Sequence, residues 1–258
     1  MTVRVHKDDN TSLRARVSPG EWQVRVDLAA CYRLCHHVGI TDRINTHISA
    51  RVPGEDGYFL LNPLRLLFDE VTASNLMKID MDGNKVGESA YEVNRAGYVI
   101  HSAVLIARAD VNCALHHHSA AGIAVSALKE GLLPMSQHAQ QFYNRIGYHD
   151  YEGIALEEEE RERLGANLGR HSAMLLRNHG VLTAADSVAE AYLLMDGLEA
   201  ACKSQLLAQA AGGEIHLPPP DVCEYTASQF DRPNEWRLKL EWDAQLRMLD
   251  RLGVEYAV

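Results

Sequence analysis

Short apolar runs with strand character alternate with capped helical segments along this chain, and this alternation constrains the possible folds most strongly. The first four runs follow one another closely, around Ile48, at 58–61, at 76–80 and at 85–86 after the Asp82-Gly83 turn. Two later apolar strands are predicted at 110–115 and at 173–177. Helices packed on both sides of a mainly antiparallel sheet satisfy this order, so the sequence predicts an α/β fold, a three-layer α/β/α sandwich.

The predicted helices begin at residues whose side chains can accept hydrogen bonds from free backbone amides. Such caps are found at Ser18, Asn94, Ser119 and Ser187. The predicted helices cover about 19–37, 94–107, the segment after 119, 157–169, 187–212 and 236–252. The segment 131–153 shows little periodicity and is predicted to be a loop.

The chain has 258 residues, of which 47% are hydrophobic and 23% charged, so it can bury a sizeable core. One α/β domain with an appendage is therefore predicted. The main domain covers 18–215; a polar N-terminal arm over 1–17 precedes it and a C-terminal extension over 216–258 follows it. The extension contains a proline run at 218–220 and an amphipathic helix.

The predicted C-terminal helix carries an apolar stripe with helical spacing, formed by Leu238, Trp242, Leu246, Leu249 and Leu252. Large exposed apolar patches are rare on monomers, so this stripe must be buried. Packing against its own domain is one solution. The proline run is a semi-rigid spacer that can carry the helix away from its own core. We therefore expect the stripe to contact a neighbouring subunit.

Charge and cysteine content exclude several classes of protein. A net charge of −10 argues against a nucleic-acid platform or a protein of anionic membrane surfaces. No run approaches the length of a membrane span, and the N-terminus lacks the apolar core of a secretory signal. The five cysteines are odd in number and show no C-x-x-C spacing, which fits a reducing cytoplasm. We expect a cytoplasmic protein whose ligand is a small molecule.

Histidine is unusually frequent, with thirteen residues. His116 and His118 lie at the end of a predicted strand, where side chains two positions apart share a face, while His117 points to the other face. His179, between an apolar strand and a glycine, is the candidate third ligand. Three imidazoles on one face form a site for a divalent metal. A cluster of hydrogen-bonded surface histidines is the alternative.

The chain resembles the class II aldolase/adducin family over roughly residues 20–215. The matching segments lie at 45–51, 110–119, 176–180 and in the helix that bears Glu199. It is most similar to the adducin-like bacterial branch, at 94–103, 127–133 and 148–151. This resemblance implies a class II aldolase-like fold, and one divalent ion held by His116, His118 and His179. Zinc is expected, with manganese or iron as alternatives. The resemblance also implies a homo-oligomer, a tetramer or a dimer.

The chain departs from the family's sugar-phosphate aldolases in two ways. Those enzymes carry a catalytic glutamate at the position of Gly97, four residues before the histidine that matches His101. Their phosphate-binding segments are replaced here at 46–47, 62–65 and 95–96, where few small hydroxyl or glycine donors remain. We therefore do not expect a sugar phosphate as substrate. We expect His101 to support a ligand rather than bind metal.

Other candidate site residues follow from the resemblance, for His138 and His47, or from the chemistry of the side chain, for Tyr148, Arg65 and Arg145. His138 lies near the place of a tyrosine that acts on the substrate in the aldolases, and is a catalytic candidate. Tyr148 is a second one, able to carry a proton or to wall an aromatic pocket. Candidate substrate-binding residues are His47, in the place of an asparagine, and Arg65 and Arg145, which can hold a carboxylate by paired hydrogen bonds. The alternative for each is an ordinary structural or solvated side chain.

These features predict a divalent-metal-dependent carbon–carbon lyase, acting by retro-aldol cleavage or by decarboxylation through a metal-stabilised enolate. The expected substrate is a non-phosphorylated, carboxylated or aromatic hydroxy/oxo acid. One alternative is a non-haem Fe(II) oxygenase of aromatic hydroxy acids, because three histidines can hold iron and leave positions free. A second alternative is a non-catalytic, adducin-like interaction module.

Overall fold

The computed structural model describes residues 13–87, 89–231 and 234–258. Most of the predicted N-terminal arm, residues 1–12, lies outside the described residues. The strands are β1 (His47–Arg51), β2 (Tyr58–Leu61), β3 (Met77–Asp80), β4 (Cys113–His117), β5 (Ile146–His149), β6 (Ala173–Leu176) and β7 (Gly180–Ala185). The helices are α1 (Pro19–His37), α2 (Arg95–Ala107), α3 (Ala120–Ala127), α4 (Gln137–Gln140), α5 (Glu160–Leu168), α6 (Val188–Ala210), α7 (Pro220–Phe230) and α8 (Glu235–Arg251). A short 3-10 helix covers Phe68–Glu70.

All seven strands belong to one sheet, in the order β3-β2-β1-β4-β7-β6-β5. Only the pair β5–β6 is parallel; the other neighbours are antiparallel. Strand β4 lies at the centre, and its register places His116 opposite His47 of β1 and opposite Leu182 of β7. The histidine-rich end of β4 is therefore enclosed by strands on both sides.

Side chains of the sheet alternate between two apolar cores, one on each face. Leu115 of β4 and Val181 of β7 pack under α1 and α6, whereas Ala114 and Leu182 pack under α2 and α5. Burial of a large aliphatic side chain contributes about 1.5–3 kcal/mol, so both helix layers are held mainly by this packing. The predicted three-layer α/β/α sandwich with a mainly antiparallel sheet is confirmed.

The predicted helix starts are also confirmed. Side-chain oxygens of the four capping residues accept backbone N–H groups three positions later, at Ser18, Asn94, Ser119 and Ser187. A cap of this kind contributes about 1 kcal/mol. Local sequence therefore determines where these four helices begin.

The predicted loop over 131–153 was wrong in part, because it contains α4 and β5. The buried positions of β5 are Gly147 and His149, and its two apolar residues, Ile146 and Tyr148, are only partly buried, so the strand has a weak apolar signal. Gly147 is required there, since a Cβ would lie 2.4 Å from the carbonyl oxygen of Asn167. The run at 85–86 was also overpredicted and forms one isolated bridge, between Lys85 and Ile79. Strand β7 and helix α7 were missed.

The expectation that the C-terminal stripe contacts a neighbouring subunit is wrong for its two best-buried members. Trp242 and Leu249 of α8 pack on α1 and α6 of the same chain, and the rings of Trp242 and Tyr192 are 6.0 Å apart. The proline run does not carry α8 away, because Pro220 opens helix α7 instead. The chain end returns to the domain, where the Ala73 amide donates to the Tyr256 carbonyl at 2.8 Å. No helix within the described ranges is both long and apolar enough to span a membrane.

Candidate metal centre

Three histidines from two distant parts of the sequence meet at the end of β4. His116 lies in β4 and His118 just beyond it, and His179 lies in the turn between β6 and β7. The Nε2 atom of His118 is 2.9 Å from that of His116 and 2.9 Å from that of His179. Asn178 adopts a left-handed conformation with φ 58° to make this turn. The structure thus brings together the three predicted ligands, here called the trihistidine cluster.

The hydrogen bonds made by the Nδ1 atoms show that the Nε2 lone pairs of His116 and His118 point at each other. His116 donates its Nδ1–H to the carbonyl of Val181 at 2.9 Å, and His118 donates its Nδ1–H to Asp42 at 3.1 Å. In a neutral imidazole the other nitrogen then carries no proton. Two lone pairs 2.9 Å apart repel, and a divalent cation between them removes the repulsion. The cluster therefore fits a metal ion bound through Nε2 atoms.

Burial keeps two of the three histidines, His116 and His179, in their metal-binding protonation state. Burial, together with the neighbouring His118, lowers the pKa of His179 to about 4. Burial and the nearby His179 hold the pKa of His116 well below its ordinary value. Both rings are neutral at pH 7, as a metal ligand must be.

His117 serves as an internal contrast to its neighbours. It points to the other face of the sheet, as strand alternation predicts, where its Nδ1 accepts the backbone N–H of Ser119 at 3.0 Å. Its Nε2 is buried without a hydrogen-bond partner among the described residues, and burial lowers its pKa to about 3. His117 is therefore a neutral histidine outside the cluster.

Asp42 is a site residue that the sequence analysis missed. It lies in the loop between α1 and β1, and its Oδ2 accepts the Nδ1–H of His118. The side-chain amide of Asn45 also donates to Asp42, at 3.4 Å. A carboxylate behind a ligating histidine fixes the ring orientation and raises the basicity of the ligand nitrogen. The only signal available in the sequence was the polar residues Asp42, Asn45 and Thr46 just before β1.

The candidate His47 lies directly beside the trihistidine cluster. Its ring centroid is 5.3 Å from that of His116, its partner in the β1–β4 register. Its Nδ1 is 3.1 Å from Nε2 of His101, whose Nδ1 is 2.5 Å from Oγ of Ser49. A Cβ at Gly97 would lie 2.8 Å from Cδ2 of His47. The His47 ring thus occupies the space that a side chain at position 97 would need.

The two predicted catalytic residues lie away from this cluster in the described chain. His138 is exposed on α4 and lies near enough to Asp196 to lower the pKa of that carboxyl in part, against the larger effect of burial, which raises it. Tyr148 lies on β5 under the guanidinium of Arg177, 4.4 Å from the ring centroid, and its hydroxyl accepts the Leu132 amide at 3.3 Å. These two contacts fix the position of the Tyr148 ring, and its catalytic role stays a prediction.

The two candidate arginines hold other parts of the chain. Arg145 forms ion pairs with Glu224 at 2.8 Å and with Asp231 at 2.7 Å, and these bonds fasten α7 to the main domain. Both carboxylates raise the pKa of Arg145. The Arg65 side chain is 71% exposed and pairs with Glu92 at 3.5 Å. Neither guanidinium contacts the trihistidine cluster within the described part of the chain.

One aromatic side chain, Tyr151, lies near the cluster at His179. The ring of Tyr151 has its centroid 6.3 Å from that of His179. Tyr151 is 54% exposed, and Ile154 and Leu156 in the same segment are 72% and 45% exposed. A separate cavity of about 1400 Å³ lies between α4, α6 and the two C-terminal helices, and no member of the trihistidine cluster lines it.

Fold and cluster together define an α/β protein with a three-histidine site at the end of a central antiparallel strand. The sequence model of the Class II Aldolase and Adducin N-terminal domain matches residues 26–206. The chain therefore belongs to the class II aldolase/adducin family.

Comparison with individual proteins agrees with this assignment. A Pseudomonas aeruginosa protein assigned to aldolase class 2 is 48% identical over 248 residues, which cover 95% of each chain. Alpha-adducin of Rattus norvegicus is 41% identical over 91% of this chain, which spans about a third (34%) of that longer protein.

Two solved structures extend the comparison. One is the crystal structure of an aldolase II superfamily protein from Pseudomonas syringae, which is 51% identical in sequence. The match covers 96% of this chain and 100% of that chain, with a TM-score of 0.92. The L-fuculose 1-phosphate aldolase of Glaciozyma antarctica covers 92% of both chains, with a TM-score of 0.81 and 27% identity.

Proposed function

We propose that this protein is a divalent-metal-dependent carbon–carbon lyase that acts by retro-aldol cleavage or decarboxylation. The observation that carries the proposal is the trihistidine cluster, in which two Nε2 lone pairs face each other at 2.9 Å with both Nδ1 protons already used. His116, His118 and His179 would hold the ion, with zinc the expected metal. A divalent ion there would act as a Lewis acid that polarises a carbonyl and stabilises an enolate.

The proposed substrate is a non-phosphorylated hydroxy or oxo acid. Polar residues at the positions where the family's sugar-phosphate aldolases bind phosphate are hydrogen-bonded to other side chains in this chain. Asn62 accepts a hydrogen bond from the hydroxyl of Tyr32 at 2.9 Å, and Arg95 donates a hydrogen bond to Glu158 at 2.8 Å. We propose that this chain differs in its substrate class from the solved structure of the L-fuculose 1-phosphate aldolase. The exposed Tyr151 near His179 favours a substrate with an aromatic or apolar group.

The proton chemistry of the site also favours bond cleavage that needs no strong carboxylate base. Position 97 is Gly97, and the ring of His47 fills the adjacent space. Decarboxylation removes no hydroxyl proton from the substrate, so it tolerates this loss better than retro-aldol cleavage. We propose His47 as the residue of this chain that hydrogen-bonds the substrate.

A catalytic role for His138 requires more than one copy of the chain. His138 is exposed on α4 and, in the part of the chain that the structure describes, is not a member of the trihistidine cluster. We therefore propose a homo-oligomer, a tetramer or a dimer, in which His138 of one copy serves the site of another. The five cysteines are buried and free, which supports a reducing cytoplasm as the location.

A non-catalytic interaction module is the second candidate function. It is favoured by the 41% identity with alpha-adducin over 91% of this chain. A module of this kind gains nothing from three converging Nε2 atoms, and for that reason we prefer the lyase.

Carbon–carbon cleavage of a set of 13C-labelled acids by the zinc-loaded protein tests the proposal. The set contains aliphatic and aromatic 2-oxo and hydroxy acids together with fuculose and ribulose phosphates, and products are identified by NMR. We expect turnover of an acid that is lost in His179→Ala and kept in His117→Ala. Turnover of a sugar phosphate alone contradicts the proposed substrate class. Oxygen consumption by an iron-loaded protein supports the oxygenase instead, and absence of metal binding supports the module.

A further inference from the structure

A chain of three buried polar side chains leads from the interior of the sheet to the trihistidine cluster. Oγ of Ser49 is 2.5 Å from Nδ1 of His101, and Nε2 of His101 is 3.1 Å from Nδ1 of His47. All three residues are at most 1% exposed. The directions of these two hydrogen bonds decide which nitrogen of His47 carries the proton.

Two arrangements are possible for two neutral imidazoles and one hydroxyl. In the first, Ser49 donates to Nδ1 of His101, Nε2–H of His101 donates to Nδ1 of His47, and His47 carries its proton on Nε2. In the second, every bond is reversed and His47 carries its proton on Nδ1. Both rings are neutral, because each is at most 1% exposed and neither is hydrogen-bonded to a carboxylate among the described residues.

The surroundings of Ser49 favour the first arrangement. Among the residues that the structure describes, His101 is the one hydrogen-bond partner of the Ser49 hydroxyl. In the second arrangement His101 would donate to Ser49, and the hydroxyl hydrogen would remain buried without an acceptor. A buried donor without an acceptor costs free energy. The hydroxyl therefore donates, and the proton of His47 lies on Nε2.

We propose that Ser49 and His101 fix His47 as a neutral Nε2–H donor to an oxyanion of the ligand at the trihistidine cluster. This inference rests on the proposed function for the ligand and on the hydrogen-bond chain for the donor. A donor fixed in advance stabilises negative charge that develops on a substrate oxygen, because it needs no reorganisation during the reaction. Ser49 and His101 are positioning residues.

The same assignment accounts for the composition of the cluster. His47 contacts His116, yet the convergent nitrogens belong to His116, His118 and His179. With its proton on Nε2, His47 offers no lone pair on that nitrogen and is a donor instead of a fourth ligand. Gly97 leaves the space for the ring, since a Cβ there would lie 3.3 Å from Nε2 of His47.

Nitrogen NMR of 15N-histidine-labelled, zinc-loaded protein tests the hydrogen-bond chain directly. We expect the wild-type His47 signals to show a protonated Nε2 and an unprotonated Nδ1. In Ser49→Ala the preference is removed, and the Nδ1-protonated form of His47 should become populated. His117 has its own backbone donor and is the internal control, with unchanged signals. A wild-type proton on Nδ1, or a tautomer unchanged in Ser49→Ala, overturns the inference.

Binding of oxalate to the zinc-loaded protein tests where the donor points. Oxalate is a small planar dianion, and a hydrogen bond to a charged ligand is worth about tenfold or more in affinity. We expect His47→Phe to weaken oxalate binding by at least about tenfold at unchanged zinc content, and the surface variant His36→Phe to leave it unchanged. Equal affinity in His47→Phe overturns the donor role. Failure of the wild type to bind zinc overturns the proposed function and the ligand contact, while the NMR result still decides the tautomer.

Discussion

Removal of the negative charge at Asp42 should weaken metal binding without changing any metal ligand. Asp42 accepts the Nδ1–H of His118 at 3.1 Å, and the two side chains are 29% and 16% exposed. Asp42→Asn keeps the shape of the side chain but removes the carboxylate charge that orients the ring and raises its basicity. Loss of such a partner lowers metal affinity by about 10- to 100-fold, or about 1.4–2.8 kcal/mol.

The zinc dissociation constant, measured by competition with a chromogenic chelator at pH 7, provides the assay. The protein offers a matched control in a second histidine–aspartate pair, His36 and Asp69, whose side chains are 3.8 Å apart and 51% and 44% exposed. Asp69→Asn makes the same chemical change outside the site and should leave the zinc affinity unchanged. An Asp42→Asn affinity within twofold of wild type would refute the role of the carboxylate.

Three further substitutions test other parts of the structure. Gly97→Ala places a Cβ 2.8 Å from His47 and should cost about 1–3 kcal/mol of unfolding free energy; an unchanged urea midpoint would show that the ring can move aside. Trp242→Ala empties a buried site, where Trp242 is 8% exposed, and should cost about 3–5 kcal/mol; Trp236→Ala, at a residue 73% exposed, should stay within about 0.5 kcal/mol. Burial lowers the pKa of His117 to about 3, so the unfolded chain binds one more proton there as pH falls below about 6.5. Between pH 6.5 and 4.5 the unfolding free energy should therefore fall by roughly 2 kcal/mol from this group, and His117→Asn should show a correspondingly flatter pH dependence.

Local signals account for the parts of the fold that the sequence predicts well. Caps such as Ser18 and Ser187 act within three residues of themselves, so they identify helix starts without any knowledge of the tertiary structure. The alternation in β4 likewise separates His116 from His117 on opposite faces of the sheet. The central strand and its histidines could therefore be predicted from periodicity.

Contacts between distant parts of the chain account for what the sequence could not show. Asp42 and His118 are 76 residues apart, and no local pattern joins them. Arg145 is hydrogen-bonded to Glu224 and Asp231, about 80 residues later, and these bonds attach α7 to the main domain. Such a contact depends on tertiary packing, which the local sequence around Arg145 does not show. Strand β5 forms by pairing with β6 although Gly147 and His149 occupy its buried positions.

Zinc content, measured by elemental analysis after loading and gel filtration, tests the trihistidine cluster most directly. Wild type and His117→Ala should each hold about one ion per chain, because His117 lies on the other face of the sheet. His179→Ala should hold far less, because the Nε2 atom 2.9 Å from that of His118 is removed. Full zinc content in a folded His179→Ala variant, or its loss in His117→Ala, would contradict the assignment of the metal site.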